Sequence, residues 1–515
     1  MRQKTRYQFK EPGIFSFNLM TLPPATVTIT LACYLLLNIA LAILMAIPVL
    51  PPAVGLVGAI IINLIVLLFV RSEVVLPLYL LIAGPSVTLS LSGSGILSRL
   101  YIGNLLFFLV VLIWLLLCLL PNRKAEQPLM PRALLVPLLC LITVGVISII
   151  YSHFFPDPLV TYTFPHSNTS IYVVNAAELM LLIGLPLFLI VVPGVVRTMR
   201  HARWTIIAYC SIGLLYALGT IFAAPLGLYS KEVILGVRRP QVFGEVSSGL
   251  GMTLVLFTSI AFGQALYATK PLTRTIWGIL TGIFALATIM TFGREAWISL
   301  FLCLLAMTIL YTRNWKILVI ALIIPIFVIL IPGFTNFFDP TKTYGADRFK
   351  IWADAINIWL HTPIMGTGAG NYQFFDDTYG MDIVGVAHNQ YLEVLAEMGV
   401  QGLLCLLWIM AVVGWTCFNI FRKAKTALGK SVALSYCGFF VAILFAGLFT
   451  SSFIPSAADG GGTAAFVSES YRWLLLGLVL SVPQLEKTAT QSQGQEHATI
   501  KPFPSTSQSL LPKAY

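Results

Sequence analysis

Charge is what this sequence has least of: only 10% of its 515 residues are Asp, Glu, Lys or Arg. A soluble domain carries roughly 25%, and a chain this long cannot cover a water-facing surface with so little. Metal and redox patterns are missing too. The eight cysteines lie in or beside apolar runs and none forms a Cys-x-x-Cys pair, so neither a disulfide framework nor a zinc site is indicated. Glu178 is the clearest acidic residue within an apolar run. That scarcity argues against an ion-coupled pump, whose relays need intramembrane ionisable groups. No cleavable leader is evident. The basic start (Arg2, Lys4, Arg6, Lys10) leads into a run long enough to span, which reads as a retained helix.

What is abundant is apolar surface, at 58% hydrophobic residues and a mean hydropathy of +0.89. A run of roughly 17 to 24 apolar residues crosses ~30 Å of hydrocarbon at ~1.5 Å per residue. Such runs fall near 25–47, 53–70, 74–91, 100–120, 133–150, 171–193, 204–224, 246–268, 275–291, 296–311, 317–333, 399–420, 432–452 and 463–482. The third and last border Gly- and Ser-rich stretches, so twelve to fourteen transmembrane helices are expected. The fold class is therefore an all-α integral membrane protein with a large helical extracytoplasmic loop.

Loop charge orients it. With the N-terminus cytoplasmic, 22 of the 31 basic residues fall on the cytoplasmic side and nine on the other. The positive-inside rule then places both ends in the cytoplasm, so the +11 formal charge reports topology rather than nucleic-acid binding. The expected organisation is a cytoplasmic N-terminus at 1–24, eleven helices over 25–333, a large extracytoplasmic loop at 334–398, C-terminal helices over 399–482 and a disordered cytoplasmic tail at 483–515. Inside the large loop, Phe349, Trp352, Ile356 and Trp359 recur at spacings of three and four, which suits a helix lying in the membrane interface. Gly366, Gly368 and Gly370 read as a flexible turn region. A second helix is expected to begin near His388 and Asn389 and run into the span at 399.

The nine outward basic residues are informative because the topology rule predicts their absence. Among them are Arg238 and Arg239 in the loop at 229–245, Arg294 in a short turn, and Arg348 in the large loop. Arginine's planar fork suits bidentate binding of phosphate or pyrophosphate. His388 in the same loop titrates near neutrality when unperturbed, and a helix start there would favour its neutral form. Together they suggest transfer from a membrane-anchored phosphorylated donor. Each also has a plainer reading: Arg294 as a snorkelling side chain, Arg238 and Arg239 as a solvated pair, Arg348 as the partner of Asp347, His388 as a packing histidine. Asp376 and Asp377 read as solvated carboxylates rather than a metal site. Glu393 and Glu397, one turn apart, read as a solvated helix face.

From Thr291 to about Met410 the residues resemble the O-antigen ligase and O-antigen polymerase superfamily of bacterial membrane glycosyltransferases. The features are Gly293-Arg294-Glu295-Ala296, then Arg348 with its aromatic helix, then Pro363-Ile364-Met365-Gly366-Thr367-Gly368. Ala387-His388-Asn389-Gln390-Tyr391-Leu392 follows, with Glu397-Met398-Gly399 leading into Gly402. Gly293 departs from the pattern, since many relatives carry Ser before the Arg. The resemblance implies a GT-C-like, metal-independent inverting glycosyltransferase without cofactor in the bacterial inner membrane, its active site extracytoplasmic. The implied partners are a glycan on undecaprenyl pyrophosphate, a lipid-linked or glycan acceptor, and membrane lipids, with no nucleic acid. Arg239 or Arg238, with Arg348 and Arg294, would hold the pyrophosphate, and His388 would take the acceptor's proton. Two competing readings are a transporter, for which the spans offer few polar groups beyond Glu178, Asn63 and Asn104, and a non-catalytic assembly protein.

Overall fold

The computed structural model describes residues 72–87, 102–119, 130–162, 170–234, 237–318, 345–380, 385–454 and 463–499, and from Glu73 onward these form one compact unit. The helices are α1 (Val75–Ser86), α2 (Ile102–Leu119), α3 (Arg132–Phe154), α4 (Ile171–Val195) and α5 (Met199–Ile221). A small antiparallel sheet follows, β1 (Tyr229–Ile234), β2 (Val237–Val242) and β3 (Glu245–Val246). Then come α6 (Ser247–Tyr267), α7 (Pro271–Met290), α8 (Arg294–Thr312), α9 (Gly345–His361), α10 (Tyr372–Tyr379), α11 (Gln390–Lys423), α12 (Ala427–Ala446) and α13 (Thr463–Thr499).

Among the described residues, eight helices are long and apolar enough to cross a membrane: α3 to α8, α11 and α12. The chain is an all-α integral membrane protein apart from the small sheet. Eleven of the fourteen expected runs coincide with a helix, while those at 25–47, 53–70 and 317–333 lie wholly or largely outside the described residues. Three expectations change. α1 has 12 residues, too few to span alone. α13 continues past 482 to Thr499, so 483–499 is helical where a disordered tail was expected. The loop at 229–245 is a paired hairpin, with Val233 opposite Arg238.

α6 is mostly buried and packs against α7, α8 and α12. Lipid gives helices no hydrophobic reason to associate, so close approach and hydrogen bonds must supply it. Both are present. A side chain on Gly263 of α6 would strike Ser435 of α12, and one on Gly438 would strike Met307 of α8. Ser435 Oγ donates to Ser259 O across the same seam at 2.9 Å, and Gln264 Nε2 donates to Ser431 Oγ at 2.8 Å. On its outer surfaces the bundle shows lipid-compatible side chains, such as Leu272, Ile276 and Ile279 on α7.

Candidate active site

α11 is not one straight helix. At Gly399 the backbone takes φ 67° and ψ −171°, breaking it between a short upper segment and the span below. Val400 N, which in a straight helix would donate to Ala396 O, donates instead to Pro363 O at 3.0 Å. Thr367 N takes up Ala396 O at 3.0 Å, and Gly368 N donates to Glu397 O at 2.9 Å. The Pro363–Gly368 turn thus plugs the break, and the two sequence motifs are halves of one hydrogen-bonded unit. Gly366 and Gly368 have φ 71° and 101°, and a side chain on Gly366 would collide with the Glu397 backbone. The turn expected to be flexible is instead fixed: its glycines allow backbone to touch backbone.

The upper segment is fastened at its other end as well. Asn389 caps it, its Oδ1 accepting from Tyr391 N (3.0 Å) and Leu392 N (3.2 Å). Gln390 N donates to Gly447 O, and Gln390 Oε1 accepts from Ser452 N and Phe453 N at 3.1 and 2.9 Å. Ser451 Oγ donates to Glu393 Oε2 at 2.6 Å. Arg472 lies buried in α13 and donates to Ser452 O at 2.7 Å while paired with Glu469. The connection after α12 is therefore held between α11 and α13. His388, just before the cap, adopts φ 46°. A non-glycine residue in that region carries a cost, typically ~1–3 kcal/mol, and persists only where neighbours impose it.

Arg348 links this imidazole to groups from other segments. Arg348 projects from the first turns of α9, half-buried, with its guanidinium 5.6 Å from the centre of the Phe449 ring. Burial lowers the basicity of that guanidinium, Glu295 opposes the shift, and Arg294 and Arg239 add to it. Those charges reach Arg348 from the start of α8 and from β2. Arg239 Nη2 donates to Phe292 O at 3.3 Å, tying the hairpin to the turn before Arg294. The other end of the hairpin is tied by Tyr216 OH, which donates to Glu245 Oε1 at 3.0 Å. Burial, and then the nearby Arg348 charge, hold the His388 imidazole down to about 4. The neutral form expected from a helix dipole is present, but desolvation and a cation account for it.

The structure thus brings Arg239, Arg294 and Glu295 near Arg348, and Arg348 near His388. Arg238 is exposed, and successive strand side chains point to opposite faces, so it stands apart from Arg239. On α9, Ile351, Ala355 and Ile358 face the core, leaving the aromatic face expected from the sequence pointing away from it. Asp376, Glu393 and Glu397, read as solvated, are buried. Glu393 is 3% exposed and Glu397 2%, the latter accepting from Tyr372 N at 3.1 Å. Asp376 is 1% exposed and accepts from Gly385 N at 2.9 Å, bracing the turn below His388. Helical spacing alone could not tell their buried face from a wet one. Among the described residues no group of His, Cys, Asp and Glu has the arrangement of a metal site.

One family model matches part of this region. The O-antigen ligase family model matches residues 279–407, a quarter of the chain that includes Arg294, Arg348, His388 and the Gly399 break. No curated protein matches the chain. A chain in the solved structure titled "Structural coordination of polymerization and crosslinking by a peptidoglycan synthase complex" is similar at 14% identity and a TM-score of 0.40, over 68% of this chain and 97% of that one. Over residues 279–407, then, this multi-pass membrane protein is similar to the O-antigen ligase family.

Proposed function

We propose that the protein is a glycosyltransferase that moves a glycan from polyprenyl pyrophosphate to an acceptor hydroxyl at the outer face of the membrane, as ligase or polymerase. The observation that carries this reading is the gathering of Arg239 from β2 and Arg294 from α8 around Arg348 of α9, which itself neighbours the imidazole before α11. Fixed guanidinium forks match a diphosphate and stabilise the charge that grows on it as it leaves. The acceptor oxygen attacks the anomeric carbon from the face opposite the diphosphate. The carbon–oxygen bond to the diphosphate breaks, and its electron pair departs with that group. The acceptor's proton passes to His388, and the new glycosidic bond has inverted configuration.

An imidazole held down to about 4 is a weak base in the free enzyme. A bound diphosphate would compensate the Arg348 charge and favour the protonated imidazole, so binding the donor raises its basicity when it is needed. The sign can be checked with purified protein. The acid limb of kcat/KM reports the free enzyme and is expected near pH 4, while the limb of kcat reports the donor complex and is expected at higher pH. Coincident limbs would contradict this coupling.

The direct test is transfer in vitro from a defined carrier-linked oligosaccharide, with and without EDTA. Product formed at the same rate in both is expected, because arginine charge takes the part a divalent cation would play. Abolition by EDTA would rule out the metal-independent mechanism. Absence of any product with a ligase-type and a polymerase-type acceptor would rule out the enzyme.

A further inference from the structure

The end of α11 remote from His388 holds a cavity of about 670 Å³ that transfer does not use. It opens between the last turns of α11 and α13 from Val482 onward. Where the spans end, its walls carry the apolar Ile420, Ala424, Val482 and Pro483, with Thr416 and Asn419 beside them. Exposed lysines Lys423, Lys425 and Lys487 complete the lining where the apolar stretch of α11 gives way to charge. None of the three pairs with a carboxylate among the described residues.

One carboxylate, Glu486, also lines the cavity. It is already engaged: Glu486 Oε1 accepts from Lys425 N (2.8 Å), Thr426 N (2.7 Å) and Thr426 Oγ1 (2.8 Å), closing the start of α12. Backbone donors therefore compensate its charge, and three ammonium groups face the opening. A soluble anion would leave the apolar walls wetted. A molecule with a negative head and hydrocarbon tails satisfies both halves, and basic pockets between helices on the cytoplasmic side recognise such heads.

We infer that this cavity binds an anionic glycerophospholipid of the cytoplasmic leaflet, its phosphate among Lys423, Lys425 and Lys487 and its acyl chains against Ile420 and Val482. The inference stands apart from the transfer chemistry, since none of these residues lies at the imidazole end.

Native mass spectrometry of the full-length detergent-purified protein tests it, with phosphatidylglycerol, phosphatidylcholine and inorganic phosphate as separate probes. Preferential retention of phosphatidylglycerol over phosphatidylcholine is expected, undiminished by millimolar phosphate. A triple variant, Lys423→Gln, Lys425→Gln and Lys487→Gln, should weaken that retention by about tenfold or more. These lysines are exposed, so the variant should fold. A double variant in two other basic loops expected on the same side, Lys270→Gln with Lys316→Gln, should retain the lipid as the parent does. Equal retention of both lipids, an unchanged triple variant, an equal loss in the double variant, or displacement by inorganic phosphate would each overturn the inference.

Discussion

Replacing His388 by alanine is expected to lower the transfer rate by roughly 10²- to 10⁴-fold, the range general-base removal costs when geometry is otherwise kept. Arg348→Ala should lose on the order of 10²- to 10³-fold, because it removes a donor aimed at the departing diphosphate. Membrane insertion should be unaffected in both, since neither residue is in a span. Arg348→Lys is the sharper variant. It keeps the charge but loses the planar fork and the stacking on Phe449, so substantial loss separates bidentate recognition from a simple positive field. Rates with a carrier-linked donor, alongside protein levels in isolated membranes, measure all three. Wild-type rates in His388→Ala and Arg348→Ala would remove the proposed chemistry altogether.

The second large effect is expected at a residue with no side chain. Gly399→Ala places a Cβ against the Ile364 carbonyl oxygen, at a backbone φ of 67° that L-residues resist. The conformational cost alone is ~1–3 kcal/mol, because that φ with ψ −171° is a region essentially confined to glycine. The collision adds to it, because backbone that is itself hydrogen-bonded cannot step aside. Relief means unplugging the Pro363–Gly368 turn from the break, which frees the upper segment that carries Asn389 and, ahead of it, His388. The expected result is a lower midpoint of thermal aggregation and near-complete loss of transfer from a chemically intact set of side chains. Gly278→Ala on α7, where a Cβ meets open space, should behave as the parent in both measurements. Equal behaviour of the two variants would show that the break does not hold the site.

Much of this was legible because lipid makes hydrophobicity a length measurement. Each apolar run marks a helix whose ends follow from where charge returns, and α3 through α8 begin and end within a few residues of their expected bounds. Asn389 as the start of a helix was equally legible, since an Asn before an apolar-periodic stretch supplies a cap. The hairpin at 229–242 was not, because its pairing depends on contacts with α5 and α6 that leave no local signature. Neither was the choice between Arg238 and Arg239, which turns on strand register. The buried carboxylates Glu393, Glu397 and Asp376 were misread for a related reason: their partners Ser451, Tyr372 and Gly385 approach through tertiary contacts, and periodicity cannot see those. The approach of Phe449 and Glu295 to Arg348 was not legible, because an aromatic within an apolar run and an acid in a helix's first turn are both commonplace.

The break at Gly399 also turns part of the chain into a ruler. From Gln390 to Met398 the upper helix rises ~1.5 Å and rotates ~100° per residue, so its length sets both the height of the imidazole above the span and the direction it faces. Inserting one residue within 391–397 would swing His388 away from the arginines by about a quarter turn without removing a single functional group. Loop lengths elsewhere can drift, but the count of residues between that glycine and that histidine cannot.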